Sequence, residues 1–173
     1  AFVRELEKIS ADIHRTITEG REELTILYEG DFLSQNDPEL VLSEEDIAKL
    51  LKKNREKDCL RGYTVSGPHR DDLAVYINDA DSRQFGSQGQ QRTAALAMRL
   101  AELKLIEKET SKKPILLLDD VLSELDEKRQ TYVIDAMKDV QVFITATGID
   151  ECLLSRLPGG SLFNISGGQV KKL

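Results

Sequence analysis

The chain has 173 residues, a length that suits one domain or a compact pair of lobes and is too short for a large multidomain protein. Hydrophobic residues make up 40% of it and charged residues 32%, which excludes collagen-like, low-complexity and wholly disordered proteins. The net charge of −7, from 24 basic and 31 acidic residues, argues against a surface that is positive throughout, but it is compatible with a local basic patch.

Apolar runs are short and cysteines are few. No run approaches the ~20 apolar residues that a membrane-spanning helix needs, and the first residues lack the long apolar centre of a signal peptide. Cys59 and Cys152 lie too far apart for a zinc or redox pair motif, so we interpret them as free thiols. Together these features predict a cytoplasmic protein in a reducing compartment.

The first part of the chain predicts a helix, a strand and a second helix. Apolar residues recur at helical spacing over residues 2–17, and Gly20 stands where glycine commonly ends a helix. Because this helical spacing begins at residue 2 and no initiator Met precedes it, we expect residues 2–17 to be the end of a longer helical arm. Residues 24–28 predict a strand, and Ser43 predicts the N-cap of a helix that continues to Lys53.

The middle of the chain predicts a loop, a strand and a long helix. Polar residues at 34–38 indicate the loop. From Leu60 onward the apolar pattern changes to a period of two, and residues 73–77 predict a half-buried strand. Good helix formers then continue to about Lys108. Leu96, Leu100 and Leu103 are expected on one face of this helix, and Met98, Leu100 and Leu103 are expected in the core.

The last third of the chain predicts an α/β arrangement. The apolar run at 115–118 is typical of a strand buried on both faces, and residues 141–145 indicate a second such strand. Between them Asp126 predicts the N-cap of a helix that continues to Met137. Strand, helix and strand in this order form a parallel crossover unit, so the predicted fold class is α/β. A short helix at 150–157 and a terminal hairpin at 162–170 follow.

Two acidic residues come directly after the first of these strands. Asp119 and Asp120 emerge at its carboxyl end, the edge where α/β sheets commonly bind ligands. Adjacent carboxylates repel each other unless a cation or a polarised water lies between them, so the pair predicts a metal site. Taken alone, an ordinary acidic turn after a strand explains the pair equally well.

A loop with serine and glycine precedes the long helix, at Gly86–Gln90. A serine hydroxyl, backbone N–H groups and the positive end of the helix dipole together form an anion site. Gly89 would let a phosphate approach the backbone closely. Taken alone, these residues are better explained as a loop that caps the helix.

The order of three motifs resembles the heads of ABC-type ATPases. Ser87–Gln90 stands where those heads have their signature loop, Ile115–Asp120 where they have the Walker B strand, and Ser123–Asp126 where they have the D-loop. The residues of these motifs and of Gly67–Leu73 resemble those of the RecF family of bacterial recombination-repair ATPases. The resemblance extends through nearly the whole chain.

This resemblance implies the C-terminal half of an ABC-type head, with a parallel crossover sheet, a signature-bearing α+β lobe and the end of a helical arm. The implied parts are 1–58 for the arm and the start of the second lobe, 59–112 for the signature-bearing lobe, and 113–173 for the ATPase core. It also implies an SMC-like, ATP-dependent DNA clamp of recombinational repair. Such a clamp would form an ATP-dependent homodimer, bind double-stranded DNA with single-stranded gaps, and act with RecO and RecR in loading RecA.

The chain departs from the ABC pattern in three places. No glycine is followed by lysine, so the resemblance implies that a separate N-terminal half carries the P-loop and that this piece alone is inactive. Asp120 stands where most ABC ATPases have Glu, and a shorter acid implies slow hydrolysis. The usual switch histidine is absent, and the hydroxyl of Thr145 is expected to take its place.

The resemblance also implies roles for single residues. Asp119 would hold Mg²⁺ through a water molecule, and Asp120 would be the general base of ATP hydrolysis. Gln90 is expected to order the signature loop as well. The residues implied to contact ATP in trans, from the other protomer, are Ser87, Gln88, Gly89, Gln90 and Asp126.

His69 and Arg70 allow two interpretations. The first is a charged contact to DNA or to the ATPase interface, and the second is a turn in which Arg70 pairs with Asp71 or Asp72. Neither His69 nor His14, the second histidine, stands near a Cys or an acid at metal-ligand spacing.

Two other functions compete with the DNA-repair clamp. The first is the nucleotide-binding subunit of a transporter or of another ABC-type ATPase, and the missing Leu-Ser-Gly-Gly signature and switch histidine argue against it. The second is a pure interaction module, because a chain without a P-loop cannot bind ATP tightly.

Overall fold

The computed structural model describes residues 2–34, 41–122, 125–138, 140–146 and 159–173. They form two compact units, Ala1–Glu102 and Leu103–Leu173, and each is described by itself. Most of the predicted 34–38 loop lies outside the described residues. The predicted helix at 150–157 and Cys152 lie outside them as well.

The first unit begins with an amphipathic helix on a small antiparallel sheet. Helix α1 spans Phe2–Ile17 and packs against strand β1, Leu24–Glu29. β1 pairs with β2, Asp72–Ile77, and β2 pairs with the short strand β3, Ala80–Asp81. The opening helix and both predicted strands are therefore confirmed. The buried apolar side chains of these elements are Leu6, Ile13, Leu24, Ile26 and Ile77.

Helix α2 spans Glu44–Arg61 and is eight residues longer than predicted. Ser43 caps it as expected, because its hydroxyl accepts a hydrogen bond from the backbone of Asp46. The predictions that this helix ends at Lys53 and that the apolar period changes at Leu60 were wrong. Because α2 buries no side chain, its second half needs no regular spacing of apolar residues, and helical periodicity could not reveal it. Gly62 ends the helix in a left-handed conformation, with φ of +74°.

A 3-10 turn at Pro68–Arg70 precedes β2, and two helices follow β3. Helix α3 is the single turn Ser82–Phe85, and α4 spans Gln88–Thr110 across the boundary between the two units. In the parts of the chain that the structure describes, no helix is both long and apolar enough to cross a membrane.

The buried face of α4 differs in part from the prediction. Leu100 is buried, but Met98 and Leu103 are only half-buried. Small side chains occupy much of the buried face, and alanine carries little weight when helical periodicity is judged from large apolar residues. The other buried apolar residues of α4 are Ala94, Leu96, Ala97, Ala101 and Leu105.

The second unit contains the predicted crossover. Strand β4, Leu116–Asp119, and strand β5, Val142–Thr145, pair in parallel, and helix α5, Glu127–Ala136, connects them. The terminal hairpin is also confirmed: β6 spans Phe163–Ser166 and β7 spans Gln169–Lys172.

The two parallel strands are not buried on both faces, contrary to the prediction. Leu118 is buried, whereas Ile115, Leu117 and Phe143 are 60%, 73% and 55% exposed. Alternate residues of a strand point to opposite faces. Within the described residues, only the face with Leu118 is covered, and the other presents apolar side chains.

Candidate functional site

The acidic pair lies at the carboxyl ends of the two parallel strands. Asp119 ends β4 and stands in register with Thr145, the last residue of β5. The Thr145 hydroxyl donates a hydrogen bond to Asp119 Oδ1. The backbone N–H of Asp120 donates to the Thr145 carbonyl oxygen at 3.1 Å and to its hydroxyl oxygen at 3.2 Å. The parallel pairing thus brings Thr145 beside Asp119 and Asp120, which precede it by 26 and 25 positions.

Asp120 leaves the strand in a left-handed backbone conformation, with φ of +52°. A residue with a Cβ is strained there, although aspartate tolerates the region better than most because its short side chain can hydrogen-bond locally. Strain of this kind concentrates at functional sites. Asp119 and Asp120 are both exposed.

The chemistry of this pair suits a magnesium ion shared with a phosphate. Mg²⁺ commonly takes one or two carboxylates and fills its other positions with water and phosphate oxygens. Asp119 Oδ2 accepts no hydrogen bond from the described residues and is therefore available as a ligand. No cluster of three or more metal-binding side chains occurs among those residues. The pair fits a cation that phosphate oxygens help to hold.

The signature-loop residues form a capping box at the start of α4. Ser87 Oγ accepts a 3.2 Å hydrogen bond from the backbone N–H of Gln90, and the backbone N–H of Ser87 donates to Gln90 Oε1 at 2.9 Å. This reciprocal pair satisfies donors that a helix N-terminus would otherwise leave open. The capping interpretation of the loop is therefore confirmed, and it leaves Ser87, Gln88 and Gly89 exposed.

The two glycines of the loop have different surroundings. A Cβ on Gly86 would overlap the carbonyl oxygen of Ser82, so this position requires glycine to pack against α3. A Cβ on Gly89 would meet only Ser87 Oγ, at 3.9 Å. The chain's own packing therefore does not explain glycine at position 89.

Gln90 makes a second contact that the sequence did not reveal. Its side-chain Nε2 donates a 3.1 Å hydrogen bond to Glu22 Oε1, in the turn between α1 and β1. The two residues are 68 positions apart, and no motif or periodicity connects them. This contact supports the expectation that Gln90 orders the loop.

Asp126 caps helix α5 and pairs with Arg129 in the same turn. Its carboxylate accepts a 3.0 Å hydrogen bond from the backbone N–H of Arg129 and forms an ion pair with that residue's guanidinium. The hydrogen bond from the backbone N–H of Arg129 has the largest influence on the pKa of Asp126 and lowers it; burial opposes this effect, and the charge of the Arg129 guanidinium adds to it. Ser123 and Glu124, from the same motif, lie outside the described residues.

His69 and Arg70 lie in the exposed 3-10 turn before β2. His69 Nε2 lies 2.9 Å from the carbonyl oxygen of Thr64. The acids that follow them have other partners in the described chain. Arg83 forms two hydrogen bonds with Asp72, at 2.7 and 3.0 Å, and lowers its pKa. The hydroxyl of Tyr28 donates to Asp71, which raises the pKa of the tyrosine. The structure therefore does not support the pairing of Arg70 with Asp71 or Asp72.

The sequence comparisons identify close relatives. The DNA replication and repair protein RecF of Lachnoclostridium phytofermentans is 41% identical over 172 residues, which cover 99% of this chain and 45% of the relative. The protein of the same name from Staphylococcus carnosus is 44% identical over 173 residues, or 99% of this chain and 46% of its own. The chain spans a little under half the length of these relatives. A scan against models of protein families gave no match.

The structural comparisons agree with the sequences. A solved structure of the recombination mediator protein RecF with ATP, from the RecFOR pathway, superposes with a TM-score of 0.79 at 36% identity and covers 99% of this chain and 44% of its own. An Smc head bound to the C-winged helix domain of ScpA has a TM-score of 0.57 at 15% identity, which shows a shared fold alone. The fold is thus that of part of an ABC-type ATPase head. By sequence and by fold, the chain belongs to the RecF family, of whose members it spans a little under half.

Proposed function

We propose that this chain contributes the signature loop and the Walker B strand to an ATP-dependent DNA clamp of bacterial recombinational repair. The observation that carries the proposal is the arrangement of Asp119, Asp120 and Thr145 at one end of a parallel strand pair. Two exposed carboxylates, one held by a neighbouring hydroxyl and one placed on a strained turn, match the needs of phosphoryl transfer. The solved RecF structure with ATP supports ATP as the nucleotide.

Each residue of this arrangement would have a distinct task. Bound Mg²⁺ would neutralise charge on the phosphates, and Asp119 would hold it through water. The hydroxyl of Thr145 would fix the orientation of Asp119 and occupy the place of a switch residue. Asp120 would orient and deprotonate the attacking water, slowly, because its side chain is one methylene shorter than that of glutamate.

The signature loop would act on ATP bound to a second protomer. The exposed hydroxyl of Ser87 and the backbone N–H groups of Gln88 and Gly89 stand at the positive end of α4. The open space beside Gly89 would admit a phosphate. Gln90 would hold the loop in this geometry. Asp126 would lie near the same phosphate across the dimer interface.

The exposed apolar face of β4 and β5 supports a further partner, an N-terminal half that carries the P-loop. If further strands covered Leu117 and Phe143, a large apolar surface would be removed from contact with water. Such burial is favourable by about 25 cal/mol per Å² of apolar surface. Alone, the chain would fold without hydrolysing ATP, because the P-loop half of the composite site is missing.

Helix α2 is the surface that we propose for contact with the DNA backbone. Four of its basic residues recur at intervals of four and lie along one exposed stripe, which we call the basic stripe. They are Lys49, Lys53, Lys57 and Arg61. A row of cations on an exposed helix neutralises phosphates without reading base sequence. This local surface reconciles DNA binding with the net charge of −7.

The wider role would follow from these parts. A cytoplasmic ATP-dependent dimer would bind double-stranded DNA beside single-stranded gaps and act with RecO and RecR to load RecA. His69 and Arg70 would add a contact to DNA or to the dimer interface.

The test of the ATPase assignment is Asp120→Asn in a protein of full RecF length that contains this chain. ATP binding and ATP-dependent dimerisation should persist, while hydrolysis should fall by ~10²–10⁴-fold, the usual cost of losing a general base. Asp79→Asn is the matched control, since Asp79 is also exposed and left-handed, with φ of +64°, but lies in the β2–β3 turn. Normal turnover by Asp120→Asn would exclude Asp120 as the base.

The basic stripe is tested by reversing charges on α2. Lys53→Glu with Lys57→Glu should weaken DNA binding and flatten its dependence on salt, because fewer counterions are released on binding. Lys104→Glu, at an exposed position on α4, serves as the control. An unchanged salt dependence in the double variant would show that α2 does not contact DNA.

A further inference from the structure

Three side chains and one backbone group connect helix α1 to the signature loop. His14 of α1 is fully buried, and its Nε2 lies 3.5 Å from Glu22 Oε2. Glu22 Oε1 accepts the 3.1 Å hydrogen bond from Gln90 Nε2. Gln90 Oε1 in turn accepts the 2.9 Å hydrogen bond from the backbone N–H of Ser87. All of these contacts lie within the first unit.

The polarity of Glu22 determines which way the Gln90 amide points. A glutamine amide has a donor end and an acceptor end of nearly the same shape. If the amide of Gln90 turned by half a rotation, its oxygen would face the carboxylate of Glu22 and its NH₂ group would face the N–H of Ser87. Both contacts would then be repulsive. Only the observed orientation closes the capping box, so an acceptor at position 22 selects it.

Glu22 is held in a partly buried position that favours this role. Its side chain is 22% exposed, between buried His14 on one side and the Gln90 amide on the other. Partial burial strengthens the interaction of a carboxylate with a donor and raises the cost of leaving either group without a partner. Glu23, the next residue, is exposed and makes no side-chain hydrogen bond to the described residues.

We propose that Glu22 is a positioning residue of the signature loop: through the Gln90 amide it fixes the first turn of α4 and thereby presents Ser87 and the N–H groups that follow it. The inference rests on the proposed role of this loop in contacting ATP across the dimer. It assigns a function to a residue that belongs to none of the three ATPase motifs.

An exchange of the two side chains tests the proposal. In Gln90→Glu the new carboxylate can still accept the N–H of Ser87 but faces the carboxylate of Glu22. We expect ATP-dependent dimerisation of a full RecF-length protein to weaken about tenfold or more, the effect of losing one charge-assisted hydrogen bond. In Glu22→Gln with Gln90→Glu, the amide at position 22 donates to the carboxylate at position 90. ATP-dependent dimerisation of this double variant should be within about twofold of that of the parent.

The matched control is Glu23→Gln with Gln90→Glu. It has the same net charge as the exchanged pair, and the change lies one residue away, but it cannot restore the hydrogen bond to position 90. We expect it to remain as weak as Gln90→Glu alone. Equal recovery in the control and in the exchanged pair would overturn the proposal, because net charge would then explain both.

Unfolding of the chain by urea tests the contact between positions 22 and 90 independently of the function of the loop. The same variants should show the same pattern of loss and recovery in their unfolding midpoints, without any nucleotide present. An absence of coupling between positions 22 and 90 in unfolding would overturn the proposal. If coupling appears in unfolding but neither these variants nor Ser87→Arg alter dimerisation, the loop does not contact ATP in trans and the proposed function fails. If Ser87→Arg blocks dimerisation and Gln90→Glu does not, Glu22 has no positioning role.

Discussion

The left-handed backbone of Asp120 can be tested by comparing glycine and alanine at that position. Glycine adopts φ of +52° without strain, whereas alanine keeps a Cβ and lacks the polar side chain that helps aspartate to tolerate this region. Both substitutions remove the carboxylate. Their difference in stability therefore does not depend on the loss of the carboxylate.

The expected magnitude follows from two opposing effects. The left-handed conformation costs a residue with a Cβ roughly 1–2 kcal/mol. Glycine recovers that cost but has more freedom in the unfolded chain, which destabilises it by about 0.4–1 kcal/mol relative to alanine. Asp120→Gly should therefore be more stable than Asp120→Ala by about 0.5–1 kcal/mol. Asp120→Asn should lie close to the parent, since asparagine also tolerates this region.

Urea unfolding followed by circular dichroism measures this difference. The control is the same pair of substitutions at Asp12, an exposed residue in the interior of helix α1. There the order should reverse, with alanine more stable than glycine by ~1 kcal/mol, because glycine is unfavourable in a helix. If Asp120→Ala were as stable as Asp120→Gly while the control behaved as expected, the backbone of Asp120 would not be left-handed and strained.

Two further predictions concern the loop and the D-loop motif. Ser87→Arg should leave ATP affinity of a full RecF-length monomer unchanged but abolish ATP-induced dimerisation, measured by light scattering; a dimer like that of the parent would refute the trans role of the loop. The lowered pKa of Asp126 means that its carboxylate stabilises the fold above the ordinary aspartate value of 3.8, and that this contribution is lost as the pH falls through the lowered pKa. Asp126→Asn, which can still cap α5, should therefore reduce the fall in the free energy of unfolding at acidic pH. An unchanged dependence of this free energy on pH would show that the carboxylate of Asp126 does not stabilise the fold in this way.

Local features of the fold could be predicted from the sequence because they depend on neighbouring residues. The period of α1, the caps at Ser43 and Asp126, and the hairpin turn at Gly167 and Gly168 each follow from side chains within a few positions. The parallel crossover followed from the order of its elements. The motifs at positions 87 and 119 could be located for the same reason, since each is a short, contiguous run.

The long-range contacts of the candidate site could not be predicted in this way. The register of β4 and β5 places Thr145 beside Asp119, and the fold of the first unit brings Glu22 to Gln90. Neither pair has a signal in sequence spacing, because hydrogen bonding between distant residues depends on how whole elements pair and pack.

The exposure of the parallel strands shows the same distinction. The apolar run at 115–118 determined that a strand forms there and that its side chains favour burial. Whether both faces are covered depends on the neighbouring elements, and in the described residues Leu118 is buried while Leu117 is not. By itself, then, the sequence determined the elements, their caps and the positions of the motifs. Only the tertiary structure decided which side chains meet at the sheet edge, how the signature loop is held, and which apolar face remains open, because those properties arise from packing between elements rather than within them.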